Sequence, residues 1–184
     1  MKVLGICGTL VGSKTSILVD SLLKQLQQML PEVEVDLLDL KNYQLDFCDG
    51  RPTMEYSNET QIVIEKITEA DAFIIGTTIL HGSMPGVLKN LFELVPIPAF
   101  TNKCVVFAAN GGNHLHYLAI ENYVKPIANY LKMFVLPEYV FALSSDFNEL
   151  NVLKEEKVRE TSQIIESYAS YLKKLANRSG EVTK

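Results

Sequence analysis

The sequence predicts an α/β chain built on one parallel sheet of five strands in the order 2-1-3-4-5, with helices on both faces. Three observations predict it. Short apolar runs alternate with segments whose apolar residues recur at helical spacing, and this alternation calls for helical crossovers between parallel strands. The run Ala72-Phe73-Ile74-Ile75-Gly76 shows no inside-outside alternation, as expected of a strand covered on both faces. Near the N-terminus, Val3-Leu4-Gly5-Ile6-Cys7 breaks into Gly8-Thr9-Leu10-Val11-Gly12-Ser13-Lys14-Thr15-Ser16 and then re-enters a helical pattern at Ile17-Leu18.

The elements follow in order. Over 17–29 the apolar residues Leu18, Leu22, Leu26 and Met29 fall on one helical face, and Pro31 closes the segment. Val33, Val35 and Leu37 alternate with charged residues as a second strand. Residues 41–56 are polar and broken by Gly50 and Pro52, which makes a long connection. A helix over 58–70 leads into the buried third strand. Pro85, well suited to a first helical position, opens the next helix after a loop over 77–84. Residues 103–109 form a fourth strand, followed by the loop Asn110-Gly111-Gly112-Asn113-His114 and a helix reaching to about Leu131. A fifth strand over 133–136 and 139–141 is interrupted by Pro137, and 152–175 is a closing helix. Residues 1–176 are expected to make a single domain and 177–184 a flexible tail. No internal repeat is visible.

In a sheet of this order ligands bind beyond the carboxyl ends of the strands, where the winding direction reverses between strands 1 and 3. The loops after strands 1, 3 and 4 therefore converge on one rim. The first is suited to an anion: the opening turn of a helix leaves N–H groups unpaired and carries the positive end of the peptide dipole. Thr9, Ser13, Thr15 and Ser16 offer hydroxyls there, and Lys14 adds a charge. A nucleotide P-loop is excluded by spacing, because only Thr9-Leu10-Val11 separate Gly8 from Gly12 and Ser13 intervenes before Lys14. The three-glycine dinucleotide pattern is also missing. What remains is a hydroxyl-rich seat for a terminal phosphate, or a strand-to-helix turn without a ligand.

Composition narrows the partners. The 184 residues are 47% hydrophobic and 21% charged with a net charge of −5, which argues against nucleic acid or an anionic membrane as the main partner. No apolar run is long enough to cross a bilayer and no signal-peptide pattern precedes the first strand, so a cytoplasmic location is expected. Cys7, Cys48 and Cys104 are odd in number and widely spaced; they suit neither a disulfide framework nor a zinc site. Cys7 and Cys104 read as core residues and Cys48 as a loop residue.

At this point the residues resemble the NAD(P)H-dependent FMN reductases of flavodoxin-like fold, over about residues 1–147. Gly8-Thr9 and Ser13-Lys14-Thr15 resemble that family's Gly-Ser-x-Arg and Ser-x-Asn or Ser-x-Ser. Thr77-Thr78-Ile79-Leu80-His81-Gly82-Ser83-Met84-Pro85-Gly86-Val87-Leu88-Lys89-Asn90 resembles its Thr-Pro-x-Tyr-Asn-Gly-Ser-x-Pro-Gly-x-Leu-Lys-Asn. Asn110-Gly111-Gly112, with Leu118-Ala119 and Lys125-Pro126, is similar to the branch that includes alkanesulfonate-linked enzymes. The resemblance implies a flavodoxin-like three-layer sandwich that holds FMN and uses NADPH or NADH as co-substrate. It implies that Thr9, Ser13, Thr15 and Ser16 hold the phosphate. Thr78, Ile79, Leu80, His81 and Gly82 would line the isoalloxazine, and Asn110, Gly111 and Gly112 would reach its pyrimidine side. It also implies a homodimer or homotetramer, with a quinone, an azo compound or free flavin as acceptor.

The sequence departs from the family's pattern at several places. Val11 replaces the phosphate-loop Arg, Thr78 the Pro, Leu80 the Tyr and His81 the Asn. Met84 stands where alkanesulfonate-linked reductases carry a Tyr, which favours a tightly held flavin over a shuttled one. Hydride transfer needs no obligatory acid or base from the protein, so no catalytic side chain is assigned. His81 is placed near the ring, and His114 and His116 read as solvated loop residues; no carboxylate or Cys cluster joins them in a metal site. Tyr117, Tyr123 and Tyr130 read as core or subunit-interface residues. The rival reading is a flavodoxin-type single-electron carrier. Such carriers tend to sandwich the flavin between aromatics, and this chain has no Trp.

Overall fold

The computed structural model describes the backbone of residues 1–181 and the side chains of residues 1–176. The strands are β1 (Lys2–Cys7), β2 (Glu34–Asp39), β3 (Ala72–Thr78), β4 (Cys104–Gly111) and β5 (Phe134–Leu143). The α-helices are α1 (Lys14–Met29), α2 (Asn58–Glu69), α3 (Gly86–Leu94), α4 (Lys125–Tyr130) and α5 (Glu155–Glu181). All neighbouring strands pair in parallel in the order β2-β1-β3-β4-β5, which is the order expected from the sequence.

Two apolar layers hold the helices to the sheet. Because successive strand residues point to opposite faces, Leu4, Ile6, Phe73, Ile75, Val105 and Phe107 pack with Val63, Ile67, Leu88, Leu91 and Ile120 on one side. Val3, Ile74 and Val106 pack with Leu18, Leu22, Leu26, Ile165 and Leu172 on the other. In that second layer Tyr168 is fully buried, and its hydroxyl donates to the Phe73 carbonyl at 2.9 Å. Burial pushes this phenol well above its ordinary pKa. Gly5 and Gly76 lie beneath α1; a Cβ on Gly76 would stand 2.2 Å from Val19 Cγ2, and one on Gly5 2.7 Å from Val19 Cγ1.

The structure redraws several boundaries. Pro85 is the cap residue before α3 rather than its first member. β4 runs on through Asn110 and Gly111, which pair with Ala142 and Leu143 of β5, so these two belong to the ladder and not to a loop. β5 is continuous across Pro137 because the Pro sits at a register slip opposite Val106 on the sheet's edge, where a missing N–H costs least. The helix expected to reach Leu131 is three pieces: a 3-10 turn at His114–Tyr117, a π turn at Ile120–Val124 and the short α4. Pro126 has no N–H for the carbonyl four residues back, and the ladder widens ahead of it, with the Lys125 N–H reaching the Ile120 carbonyl. The closing helix begins at Glu155 and its backbone continues through Glu181; the rest of the tail expected over 177–184 lies outside the described residues.

Candidate functional site

The loop after β1 is held open by its own hydrogen bonds. Thr9 is fully buried and its Oγ1 accepts from the Val11 N–H at 3.1 Å, which turns the chain outward so that Leu10 and Val11 are exposed. Gly12 follows at φ +70° with only open space where a Cβ would stand. Ser13 is the cap residue of α1 but makes no side-chain capping bond. The amides of Lys14, Thr15 and Ser16 therefore have no acceptor within the helix, and no acidic residue lies in the first turn to compete for them. Ser16 donates its hydroxyl to the Ser13 carbonyl at 2.9 Å. Thr15 is buried, and its hydroxyl donates to Asn110 Oδ1 at 2.5 Å, tying α1 to the end of β4. A hydroxyl has one proton to give, so in this structure Thr15 spends it on Asn110.

The second loop is a two-residue hairpin. Leu80 N–H donates to the Ser83 carbonyl at 2.9 Å and Ser83 N–H returns a bond to the Leu80 carbonyl at 3.0 Å. His81 at φ +49° and Gly82 at φ +79° occupy its centre, as a turn with two left-handed residues requires. Asn and His tolerate that region better than most residues, which explains a His at a position where the family pattern carries Asn. Among the described residues no hydrogen bond takes the amides of His81 and Gly82. Ile79 is buried and its N–H is taken by the Asn110 carbonyl at 3.1 Å, and Thr78 Oγ1 accepts from Asn110 Nδ2 at 3.4 Å.

Asn110 is therefore the hub where the ends of α1, β3 and β4 meet. Gly111 is buried and makes room for a neighbour: a Cβ there would come within 2.9 Å of His116 Nδ1. That nitrogen is buried and has no hydrogen-bond partner, whereas His114 is exposed; the reading of His116 as a solvated loop residue is corrected. Gly112 is exposed with nothing near a Cβ position. Tyr117, Tyr123 and Tyr130 are all exposed, at 37%, 50% and 74%, so none of them is a core residue.

Charge at the rim comes from two lysines. Lys14, which the sequence offered as the loop's cation, lies 5.5 Å over the Phe147 ring. Lys41, on the turn after β2, donates from its ammonium to the Gly12 carbonyl. Its own amide donates to Asp39 Oδ1 at 3.1 Å, which caps that turn. The sequence reading missed Lys41. The signal was topological: β2 pairs with β1, so the residue just past β2 must lie beside the loop just past β1. Cys7, at the end of β1, is buried, and burial with the nearby Asp39 carboxylate pushes its thiol up to about 12.

The arrangement fits a flavin mononucleotide. One end presents free helix amides and the Ser13 hydroxyl, with no acidic residue in the first turn of α1, which suits a phosphate. The other presents unpaired amides at His81 and Gly82 with the exposed Leu80 beside them, which suits a flat ring system with polar edges. Among the described residues no group of three or more His, Cys, Asp or Glu is placed to hold a metal ion. A separate groove of about 790 Å³, lined by residues including Cys48, Phe92, Ile97, Ile127 and Tyr130, includes none of the residues of the three loops.

Comparison with known proteins places the chain in a family. The family model for NADPH-dependent FMN reductases matches residues 1–148. An NAD(P)H-dependent FAD/FMN reductase of Geobacillus thermodenitrificans is 51% identical over 87% of this chain and 86% of its own. An FMN-dependent NADPH-azoreductase of Staphylococcus saprophyticus is 30% identical over 82% and 81%. Among solved structures, an NADH:FMN oxidoreductase in its apo form superposes with a TM-score of 0.77 at 16% identity, over 92% of this chain and 89% of that one. At that identity the last likeness speaks to the fold alone.

Proposed function

The chain belongs to the NADPH-dependent FMN reductase family, and from that premise we infer that the rim formed by the three loops is where FMN is held and reduced. The observation that carries this is the convergence on Asn110 of β4: its side chain accepts from Thr15 at the start of α1 and donates to Thr78 at the end of β3, and its backbone carbonyl takes the amide of Ile79 just ahead of the hairpin. When bound, FMN supplies the redox chemistry, accepting a hydride from NADPH or NADH and passing electrons to an acceptor such as a quinone, an azo compound or free flavin.

The chain's own residues bind and orient. The amides of Lys14, Thr15 and Ser16, with the Ser13 hydroxyl, hold the phosphate. Thr9 acts indirectly by shaping the loop. The amides of His81 and Gly82 donate to the ring edge where negative charge accumulates on reduction, as the donors of an oxyanion hole do. Leu80 would supply an apolar surface beside the ring, and Gly112 would let the backbone come close. Asn110 positions the pieces relative to one another. This division of labour needs no acid or base from a side chain.

The finer assignments rest on smaller observations. Exposed Leu115, Tyr117, Leu118 and Tyr123 follow the third loop closely, and exposed Ile97 and Tyr130 line the groove beside α3; an apolar surface of this kind supports a homodimer or homotetramer. The three free cysteines suit a reducing cytoplasm, and no helix among the described residues is long and apolar enough to cross a membrane. Met84, which stands where the alkanesulfonate-linked reductases carry a Tyr, supports a prosthetic FMN over a shuttled one.

The test is direct. The purified protein is scanned for a flavin spectrum, and nicotinamide absorbance is followed with and without added FMN. Oxidation of NADPH or NADH that depends on FMN is expected. Its absence with both nucleotides, or a flavin that passes only single electrons from another reductant, overturns the reading in favour of a carrier.

A further inference from the structure

We propose that Lys41 is a phosphate-binding residue of the FMN site, a cation delivered to the first loop from the neighbouring strand. The inference rests on the placement of the phosphate at the α1 N-terminus given above. The loop's own lysine is turned to another side, with Lys14 Nζ 5.5 Å from the centre of the Phe147 ring. Lys41 reaches the loop instead and donates to the carbonyl of Gly12, the residue just before the α1 cap residue Ser13.

Three features make this a built arrangement. Asp39 accepts from the Lys41 amide and caps the turn that carries it, so the lysine's starting point is fixed by β2 and its capping turn. Among the described residues no ion pair joins the Lys41 ammonium to a carboxylate, and Asp39 takes the Lys41 amide and lies beside the Cys7 thiol. An ammonium has three protons and the Gly12 carbonyl takes one, which leaves two for an anion seated on the helix amides. Gly12 at φ +70° has open space beside it, so nothing on that residue screens the charge from the loop's mouth.

The measurement separates phosphate from ring. Dissociation constants of FMN and of riboflavin, which shares the ring and lacks the phosphate, are read by quenching of flavin fluorescence in wild type, Lys41→Gln and Lys41→Arg. Lys41 is exposed, so the variants keep the fold, which circular dichroism verifies. Loss of one hydrogen-bonded charge is expected to weaken FMN binding about tenfold in Lys41→Gln while leaving riboflavin unchanged, with Lys41→Arg retaining most of the affinity. The wild-type preference for FMN should also shrink with salt more steeply than that of Lys41→Gln. Equal losses for both flavins would make Lys41 a loop scaffold and overturn the proposal, as would no loss for either. If wild type itself binds both flavins equally, the phosphate seat is wrong, a failure distinct from that of Lys41 alone.

Discussion

Replacing Thr15 with Val removes one hydroxyl and little else. The branched shape stays, including the methyl that packs over Gly76, where a Cβ would stand 3.2 Å from Thr15 Cγ2. What is lost is the 2.5 Å bond to Asn110 Oδ1. Thr15 is buried and Asn110 half-buried, so water can reach the orphaned oxygen only in part. The cost is about 1.5 kcal/mol, or roughly 3–6 °C in Tm for a domain of this size. Urea unfolding of the flavin-free protein measures it as a lower midpoint with an unchanged slope. In a double-mutant cycle with Asn110→Ala the coupling should be about 1 kcal/mol. Thr15→Val should also weaken FMN and riboflavin binding to the same extent, because the hydroxyl serves Asn110 and not the anion. A stability change below about 0.3 kcal/mol with no coupling, or a binding loss confined to FMN, would refute the reasoning and return this hydroxyl to the phosphate.

Two further outcomes follow from titrating groups. Burial pushes the thiols of Cys7 and Cys104 up to about 12, so iodoacetamide at pH 8 should modify only the half-buried Cys48 in the folded chain and all three cysteines in denaturant; mass spectrometry of the alkylated peptides decides. Asp36 and Lys66 form an ion pair at 2.7 Å. The hydrogen bond from Lys66 chiefly lowers the Asp36 pKa, and the same bond raises that of Lys66. A depressed carboxylate adds stability above its unfolded pKa and loses it as pH falls through the folded value, while a raised ammonium loses its share as pH climbs. Lys66→Met should therefore cost about 0.5 kcal/mol at neutral pH, and the gap should close below about pH 4 and above about pH 10.5. A gap that stays constant across that range would mean that the charges contribute nothing.

The parallel α/β class was legible from the alternation of strands and helices; the order 2-1-3-4-5 is one of the two common doubly-wound orders that alternation allows, and the rim followed from it. The hydroxyl-rich loop after β1 stood out from its own glycines and hydroxyls, and the loop that holds the 80–83 turn from its likeness to a family pattern. Other features depend on contacts across long sequence separations. The proton of Thr15 goes to Asn110, 95 positions away, and no pattern around either residue announces it. Gly111 read as a loop glycine, yet β5 pairs with it and His116 fills the space beside it. Lys41 was passed over because local motif reading stops at the end of a loop, whereas the charge arrives from the adjacent strand. The π turn before Pro126 shows the opposite case: a proline whose effect on pitch is local but lies outside the usual choice between helix and loop.

The two glycines beneath α1 set the height of a whole layer. With no side chains on Gly5 and Gly76, Val19 sinks against the bare strand backbones and the helix axis comes down with it. The depth to which a cylinder settles at its middle also governs where its tip points. A methyl group added at position 76 would thus act as a wedge under Val19, lifting the amides of the first turn off the strand ends and weakening anion capture from a place no ligand ever touches.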